Sequence, residues 1–188
     1  MLCQSNGADL VNCFSLVTYI PDPLRKFLDD LRRELVPGCV PAAHLTILPP
    51  RPLSGTPADA IETIQARLSD FSPFEIETGE VLVFPISDVV YLSIKEGSKE
   101  LLPMYKSLNV GPLEYREPFP YHPHITLAQG LTRALSVELA AVARRRWAAY
   151  AHKRVFPVES LAFVQNTIRN LWVDLAHFQL HPAPSIRR

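Results

Sequence analysis

The chain is poor in cysteine, carries no net charge and has no long apolar run, and each absence removes a class of protein. Its three cysteines, Cys3, Cys13 and Cys39, are odd in number and lack a Cys-x-x-Cys spacing. Neither a disulfide framework nor a thiolate metal site is indicated, and a reducing cytoplasm fits best. Lysine plus arginine balance aspartate plus glutamate at 19 each, which argues against holding long nucleic acid by counterion release but leaves room for a compact anionic ligand. No apolar run reaches membrane length, and Met1 to Leu10 lacks the basic start and apolar centre of a signal peptide. The expectation is a soluble cytoplasmic protein with no membrane partner. Low-complexity segments are missing too, and 188 residues suffice to bury a real core.

What is present is an alternation of strand and helix signals. Residues 12–20 predict a strand; Pro21-Asp22-Pro23 then opens a helix, with Asp22 as its N-cap and Leu24, Phe27, Leu28, Leu31 and Leu35 on one face. Residues 42–48 predict a strand closed by Pro49-Pro50. Thr56-Pro57 starts a second helix carrying Ile61, Ile64 and Leu68. Residues 74–84 and 89–94 read as a hairpin. A helix over 97–108 contains Pro103, whose missing N–H makes its start ambiguous. After a loop over 111–120, residues 121–128 predict a strand. A long helix over 135–150 presents Leu135, Leu139, Val142, Ala143 and Tyr150 inward, and residues 158–164 and 171–180 close the chain as a strand pair.

Within this order one pattern occurs twice, as His44-Leu45-Thr46-Ile47 and as His124-Ile125-Thr126-Leu127. Side chains at i and i+2 of a strand share a face, so each copy projects an imidazole beside a hydroxyl. With six His and eight Thr in the chain, chance supplies about a quarter of one such match. The surroundings repeat as well. Glu80 and Phe84 correspond to Glu159 and Phe163, and Tyr91 to Trp172, at nearly the same 80-residue offset that separates the two histidines. This implies a structural duplication and not a solenoid: two similar lobes of one domain spanning residues 1–188, about 21–95 and 97–180, with strand 12–20 completing the sheet. Across the pseudo-two-fold axis the motif side chains would meet as a cage of four.

Two imidazoles in one site supply a base and an acid near neutral pH. In-line displacement at a phosphodiester needs both, one activating the attacking water or ribose hydroxyl and one protonating the leaving oxygen. Two threonine hydroxyls would donate to the non-bridging oxygens. A zinc site built from His44, His122 and His124 is the rival, but it lacks acidic or thiolate partners at ligand spacing. No cofactor is indicated.

The run Tyr121-His122-Pro123-His124-Ile125-Thr126-Leu127-Ala128, with His44-Leu45-Thr46-Ile47 upstream, resembles the 2H phosphoesterase superfamily, which includes 2′-5′ RNA ligase-like proteins and cyclic nucleotide phosphodiesterases. The resemblance covers about Cys13 to Leu180. It implies an α+β, bilobal pseudo-two-fold fold, two antiparallel sheets facing a central groove with helices outside. It also implies opening of 2′,3′-cyclic phosphates, or cleavage and reverse formation of 2′-5′ phosphodiester bonds. His44 and His124 would be acid and base, in an order that depends on substrate and direction, and Thr46 and Thr126 the phosphate holders. Family members often carry a basic residue just after the second motif, where this chain has Gln129; Arg51, after the first motif, is the nearest substitute.

Around the cage, a nucleotide wants an aromatic face. Tyr121 beside the motif is the candidate, with His122 a rim residue and Phe119 nearby, whereas Phe84 and Tyr91 read as core packing. Arg144-Arg145-Arg146 and Lys153-Arg154 fan around the long helix, so no extended nucleic-acid surface is expected. The expected partner is a cyclic nucleotide or short RNA end bound to a monomer. Two other readings stand beside the phosphodiesterase: a non-catalytic module for 2′-phosphorylated or 2′-5′-linked nucleotides, and RNA ligation.

Overall fold

A computed structural model describes residues 9–40 and 42–182; Cys3 and the leader-free N-terminal reading up to residue 8 lie outside them. Strand β1 (Leu10–Tyr19) leads through helix α1 (Leu24–Leu35) to β2 (His44–Arg51). Helix α2 (Pro57–Leu68) precedes the hairpin β3 (Phe74–Val83) and β4 (Val90–Glu96). Helix α3 (Ser98–Leu108) and a 3₁₀ turn at Gly111–Leu113 lead to β5 (His124–Ala128). Helix α4 (Arg133–Ala148) is followed by β6 (Val155–Val158), β7 (Ser160–Thr167) and β8 (Trp172–Gln179). The architecture is α+β. Two four-stranded antiparallel sheets run in the orders β2-β1-β7-β8 and β5-β4-β3-β6.

This order corrects the division into lobes at about 21–95 and 97–180. The first sheet takes strands from both ends of the chain and the second takes its middle. The hairpin after α2 joins the sheet of β5, while β7 and β8, after α4, return to the sheet of β2. The crossover helices are exchanged as well: α1, between β1 and β2, packs on β5, and α3, between β4 and β5, packs on β2. Neither half of the sequence can therefore bury its own apolar surfaces alone.

The pseudo-symmetry is sharpest where the motifs sit. Each motif strand is the edge of its sheet and pairs with one neighbour, Val17 facing Thr46 and Tyr91 facing Thr126. In both, a bulge follows the threonine, because β2 advances from Thr46 to Leu48 while β1 moves only from Val17 to Leu16, and β5 advances from Thr126 to Ala128 while β4 moves from Tyr91 to Val90. The extra residues Ile47 and Leu127 turn into the core, so two consecutive apolar side chains are buried past each threonine.

Several local expectations change. Strand β2 continues through Pro49-Pro50 to Arg51, which an edge position tolerates because a missing N–H costs no ladder bond there. The N-cap position of α1 is Pro23 and not Asp22, whose carboxylate holds Arg25 at 2.8 Å and also faces the backbone N–H of Lys26 in the first turn. Thr56 does cap α2, as half of a reciprocal capping box with Asp59. Pro103 stays inside α3. Strand β5 begins at His124, the residues from Tyr121 being irregular. In α4 the inward face is Ser136, Ala140, Ala143 and Trp147, while Leu135 is exposed. Small residues at that spacing bring the helix close enough for the Trp147 indole N–H to donate to Gly79 O at 2.9 Å. The short β6 had no separate signal.

Arg51 is the largest departure. Its guanidinium is 1% exposed, donating to Glu117, to Asn109 Oδ1 at 2.6 Å and to Leu113 O at 3.0 Å, while its Nε donates to Pro49 O at 2.9 Å. It ties the end of β2 to the loop that delivers the second motif. Burial holds the Glu117 carboxyl above its ordinary range, opposed by the Arg51 charge. Replacing Arg51 by Met strands that carboxylate and three polar groups, so Arg51→Met is expected to cost about 3 kcal/mol of stability. Denaturant titration checks this, and Arg51→Met/Glu117→Gln should recover part of the loss.

Candidate active site

The two motif strands lie against one another, edge to edge. Alternation decides what each offers. Leu45 and Ile47 on β2, and Ile125 and Leu127 on β5, are buried in the core, while His44, Thr46, His124 and Thr126 are half-buried on the other face. A one-residue slip of either strand would put an imidazole into the core and two aliphatic side chains, each worth about 1.5–3 kcal/mol of burial, into water. The apolar residues between the polar ones thus aim the polar ones.

The histidines are held alike. His44 Nδ1 lies 2.6 Å from Ala42 O, and His124 Nδ1 lies 2.7 Å from His122 O. A carbonyl only accepts, so in each ring Nδ1 carries the hydrogen and donates it, leaving Nε2 with the lone pair in the neutral form. Both rings therefore present the nitrogen that can take a proton, or give one once charged. Burial pushes both pKa values below the ordinary imidazole range, and the carbonyl bonds push the other way. For His44 the charges of Arg32 and His124 lower it further; for His124 that of His122 does. The effect of His124 on His44 agrees with the two edge strands lying side by side.

Tyr121 joins the motifs. Its hydroxyl donates to Thr46 O at 2.8 Å, and its ring stacks on Tyr105 of α3 at 4.3 Å between centroids. Arg51 Cζ lies 5.9 Å from the Tyr105 ring. The residue that precedes the second motif is thereby bonded to the backbone of the first. Its hydroxyl is engaged, which makes it a positioning residue. His122 is exposed on the rim.

Phe84 and Tyr91 stand beside the second motif, Tyr91 buried as expected and Phe84 only half-buried. Their rings stack at 3.9 Å, and the His124 ring meets both nearly edge-on, at 5.0 and 5.5 Å. His122 approaches Phe84 similarly at 5.4 Å. Tyr91 faces Thr126 across the strand pair, so this aromatic wall shares the motif face. Its first-lobe counterpart is plain Val17. The site is symmetric in its four motif residues and asymmetric around them.

Sequence reasoning missed Arg32. It lies on α1 one turn after Asp29, whose carboxylate accepts from the N–H of Ala43 at 2.8 Å, just before His44. Its Nε is buried without a hydrogen-bond partner. The signal was available only in three dimensions, since 11 residues of helix and loop separate Arg32 from His44 in the chain. Among the described residues no three His, Cys, Asp or Glu side chains converge as a metal-binding group, and no helix is long and apolar enough to cross a membrane.

Comparison with known proteins agrees with this geometry. The model of the 2′-5′ RNA ligase superfamily matches residues 20–167. A curated relative from Halalkalibacterium halodurans, named Putative phosphoesterase BH1439, is 23% identical over 128 residues, which are 63% of this chain and 71% of that one. Among solved structures, LigT of E. coli complexed with 3′-AMP superposes with a TM-score of 0.63 at 16% identity, covering 90% of this chain and 98% of LigT. A crystal structure titled as a phosphoesterase gives 0.63 at 15% identity, over 91% and 99%. The latter two show a common fold. With the family match spanning both histidine motifs, the chain belongs to the 2′-5′ RNA ligase superfamily of two-histidine phosphoesterases.

Proposed function

We propose that the protein is a metal-independent phosphodiesterase that opens 2′,3′-cyclic phosphates or cleaves 2′-5′ phosphodiester bonds in nucleotides or RNA ends. The observation that carries this reading is the matched pair of rings, each with Nδ1 fixed by the carbonyl two residues upstream and Nε2 left free beside a threonine. The relative's name as a phosphoesterase and the complexes of LigT with 3′-AMP and ATP support a nucleotide phosphate as ligand.

In hydrolysis of a cyclic phosphate, one neutral histidine takes a proton at Nε2 from water as the water oxygen bonds to phosphorus. The other, protonated, gives its Nε2 proton to the departing ribose oxygen. The Thr46 and Thr126 hydroxyls donate to the non-bridging oxygens, where charge accumulates. The Arg32 charge, already felt at His44, adds to the positive field that favours an anion, a role Arg51 cannot fill because its charge is matched by Glu117. Free protein favours two neutral rings, and a bound phosphate raises their affinity for a proton, so the substrate itself helps to charge its acid.

Turnover of a panel of 2′,3′-cyclic nucleotides and 2′-5′ oligonucleotides in EDTA is the direct test. Activity should survive the chelator and fall about 10³-fold or more in His44→Ala and in His124→Ala. Binding that both variants retain, with no turnover of any substrate by the wild type, would leave a nucleotide-binding module instead. Tyr121→Phe should lower kcat/KM about 10- to 100-fold while the fold persists, because the first motif loses its tie to the second.

The pH profile has a definite sign. Productive free enzyme holds one proton between two rings whose pKa values are both depressed. The kcat/KM profile should therefore be a bell with both limbs below the ordinary imidazole value of about 6.5. The kcat profile should lie at higher pH, because bound phosphate favours imidazolium. A kcat/KM optimum above pH 7.5 would contradict the two-imidazole assignment.

A further inference from the structure

We infer that Arg32 is a substrate-binding residue, its guanidinium gripping the phosphate from the His44 side and holding the phosphomonoester product more tightly than the diester substrate. The inference rests on the reading of His44 and His124 as the phosphodiester site.

A guanidinium has five N–H donors and no acceptor, so withdrawing one from water without partners is costly. Among the described residues the other arginines that leave solvent are matched. Arg51 meets four acceptors, and Arg154 donates to Trp147 O at 2.7 Å with its Cζ 4.4 Å from the Trp147 ring. Arg32 is half-buried, yet its Nε is sealed from water with no acceptor, and among the described residues it forms no ion pair. Asp29, one turn earlier on the same side of α1, aims its carboxylate at the Ala43 N–H at 2.8 Å and leaves Arg32 unpaired. Glu100 and Tyr150 also keep an enclosed oxygen without a partner, but neither is a cation.

The place of Arg32 on α1 says which acceptor completes it. Helix α1 packs on β5, the second motif strand, and the Asp29 bond to Ala43 fastens it beside the residue preceding His44. The last turn of the helix therefore stands where the two motif strands converge. The charge of Arg32 enters at His44 and not at His124. In an arginine, Nε and one Nη form the fork that matches two oxygens of a phosphate, and Nε is the donor left without a partner here. The guanidinium then serves from the helix the same anion that the threonine hydroxyls serve from the strands. A cyclic phosphodiester carries a single negative charge, whereas the phosphomonoester formed when the ring opens carries about 1.5 to 2 at pH 7. A fixed guanidinium therefore favours product over substrate, and product release depends on the residue that helps to seat the diester.

The test compares kcat/KM for a 2′,3′-cyclic nucleotide, inhibition by inorganic phosphate and melting temperature in the wild type, Arg32→Met and Arg32→Lys. Arg32→Met should lower kcat/KM about tenfold and weaken inhibition by phosphate more, about 100-fold. Its melting temperature should hold or rise, because an unpaired half-buried charge is removed. Arg32→Lys should fall between, keeping the charge without the fork. One limb of the kcat/KM profile should move to higher pH in Arg32→Met and stay in Arg32→Lys. The sign follows because Arg32 disfavours imidazolium at His44, while His124, which also disfavours it, and Asp29, which favours it, remain. Equal losses in both constants with a lower melting temperature, in both variants, would mark a purely structural arginine and overturn the proposal. Unchanged kcat/KM and phosphate inhibition in Arg32→Met would overturn it as well, with the two-histidine reading intact. Should the wild type turn over no substrate, calorimetric binding of phosphate decides. Binding lost in Arg32→Met would uphold the arginine contact and remove the phosphodiesterase reading, and no binding by the wild type would remove both.

Discussion

The site depends on one constraint, the strict alternation of two edge strands held side by side. Each contributes aliphatic side chains to the core and an imidazole with a hydroxyl to the opposite face. Because register in a half-buried strand is fixed by which side chains leave water, the aim of His44 and His124 is set by Leu45, Ile47, Ile125 and Leu127. The bulge after each threonine turns the next residue inward as well and terminates the polar pair after two members. What joins the strands is not a sheet ladder. They are brought together by exchanged helices and by the single hydroxyl of Tyr121 on Thr46 O.

The exchange explains why the duplication was legible while the lobes were not. Periodicity and motif spacing expose repeated local units, and the strands at 12–20, 74–84 and 89–94 and the apolar face of α1 were readable on that basis. Which sheet a strand joins depends on long-range pairing that leaves no mark in local sequence. Pairing by order put the strands after α2 and α4 with their own halves; the structure crosses them. The inward face of α4 was missed for a related reason. A stripe of Ser and Ala has little apolar signal, yet its small size lets the helix approach the sheet, while the conspicuous Leu135 faces water.

The same limit applies to charge. From sequence, Arg51 follows the first motif and suits a phosphate; in space it is buried on Glu117, Asn109 and Leu113. Arg32 carries no motif, yet its charge reaches His44. A guanidinium enclosed by a carboxylate and three carbonyl-type acceptors, on a side chain only 1% exposed, is closed to a ligand, and its charge is opposed by its partner. Proximity in the chain therefore picked the arginine that organises the loop, and not the one that colours the electrostatics of the site.

Near-symmetry in the four motif residues raises the question of how a base is told from an acid. The rings have the same tautomer and the same direction of shift, so the motif itself does not assign the roles. Differences come from the flanks. His44 feels the Arg32 cation, which disfavours imidazolium there, and the Asp29 carboxylate, which favours it, while His124 lies beside the stacked Phe84–Tyr91 pair and feels His122, which disfavours its imidazolium. The two rings are thus biased by different neighbours, and the motif leaves the assignment to them. In the proposed reaction a bound phosphate with different oxygens facing each ring would add its own bias, so the substrate's orientation between the two histidines would choose acid and base.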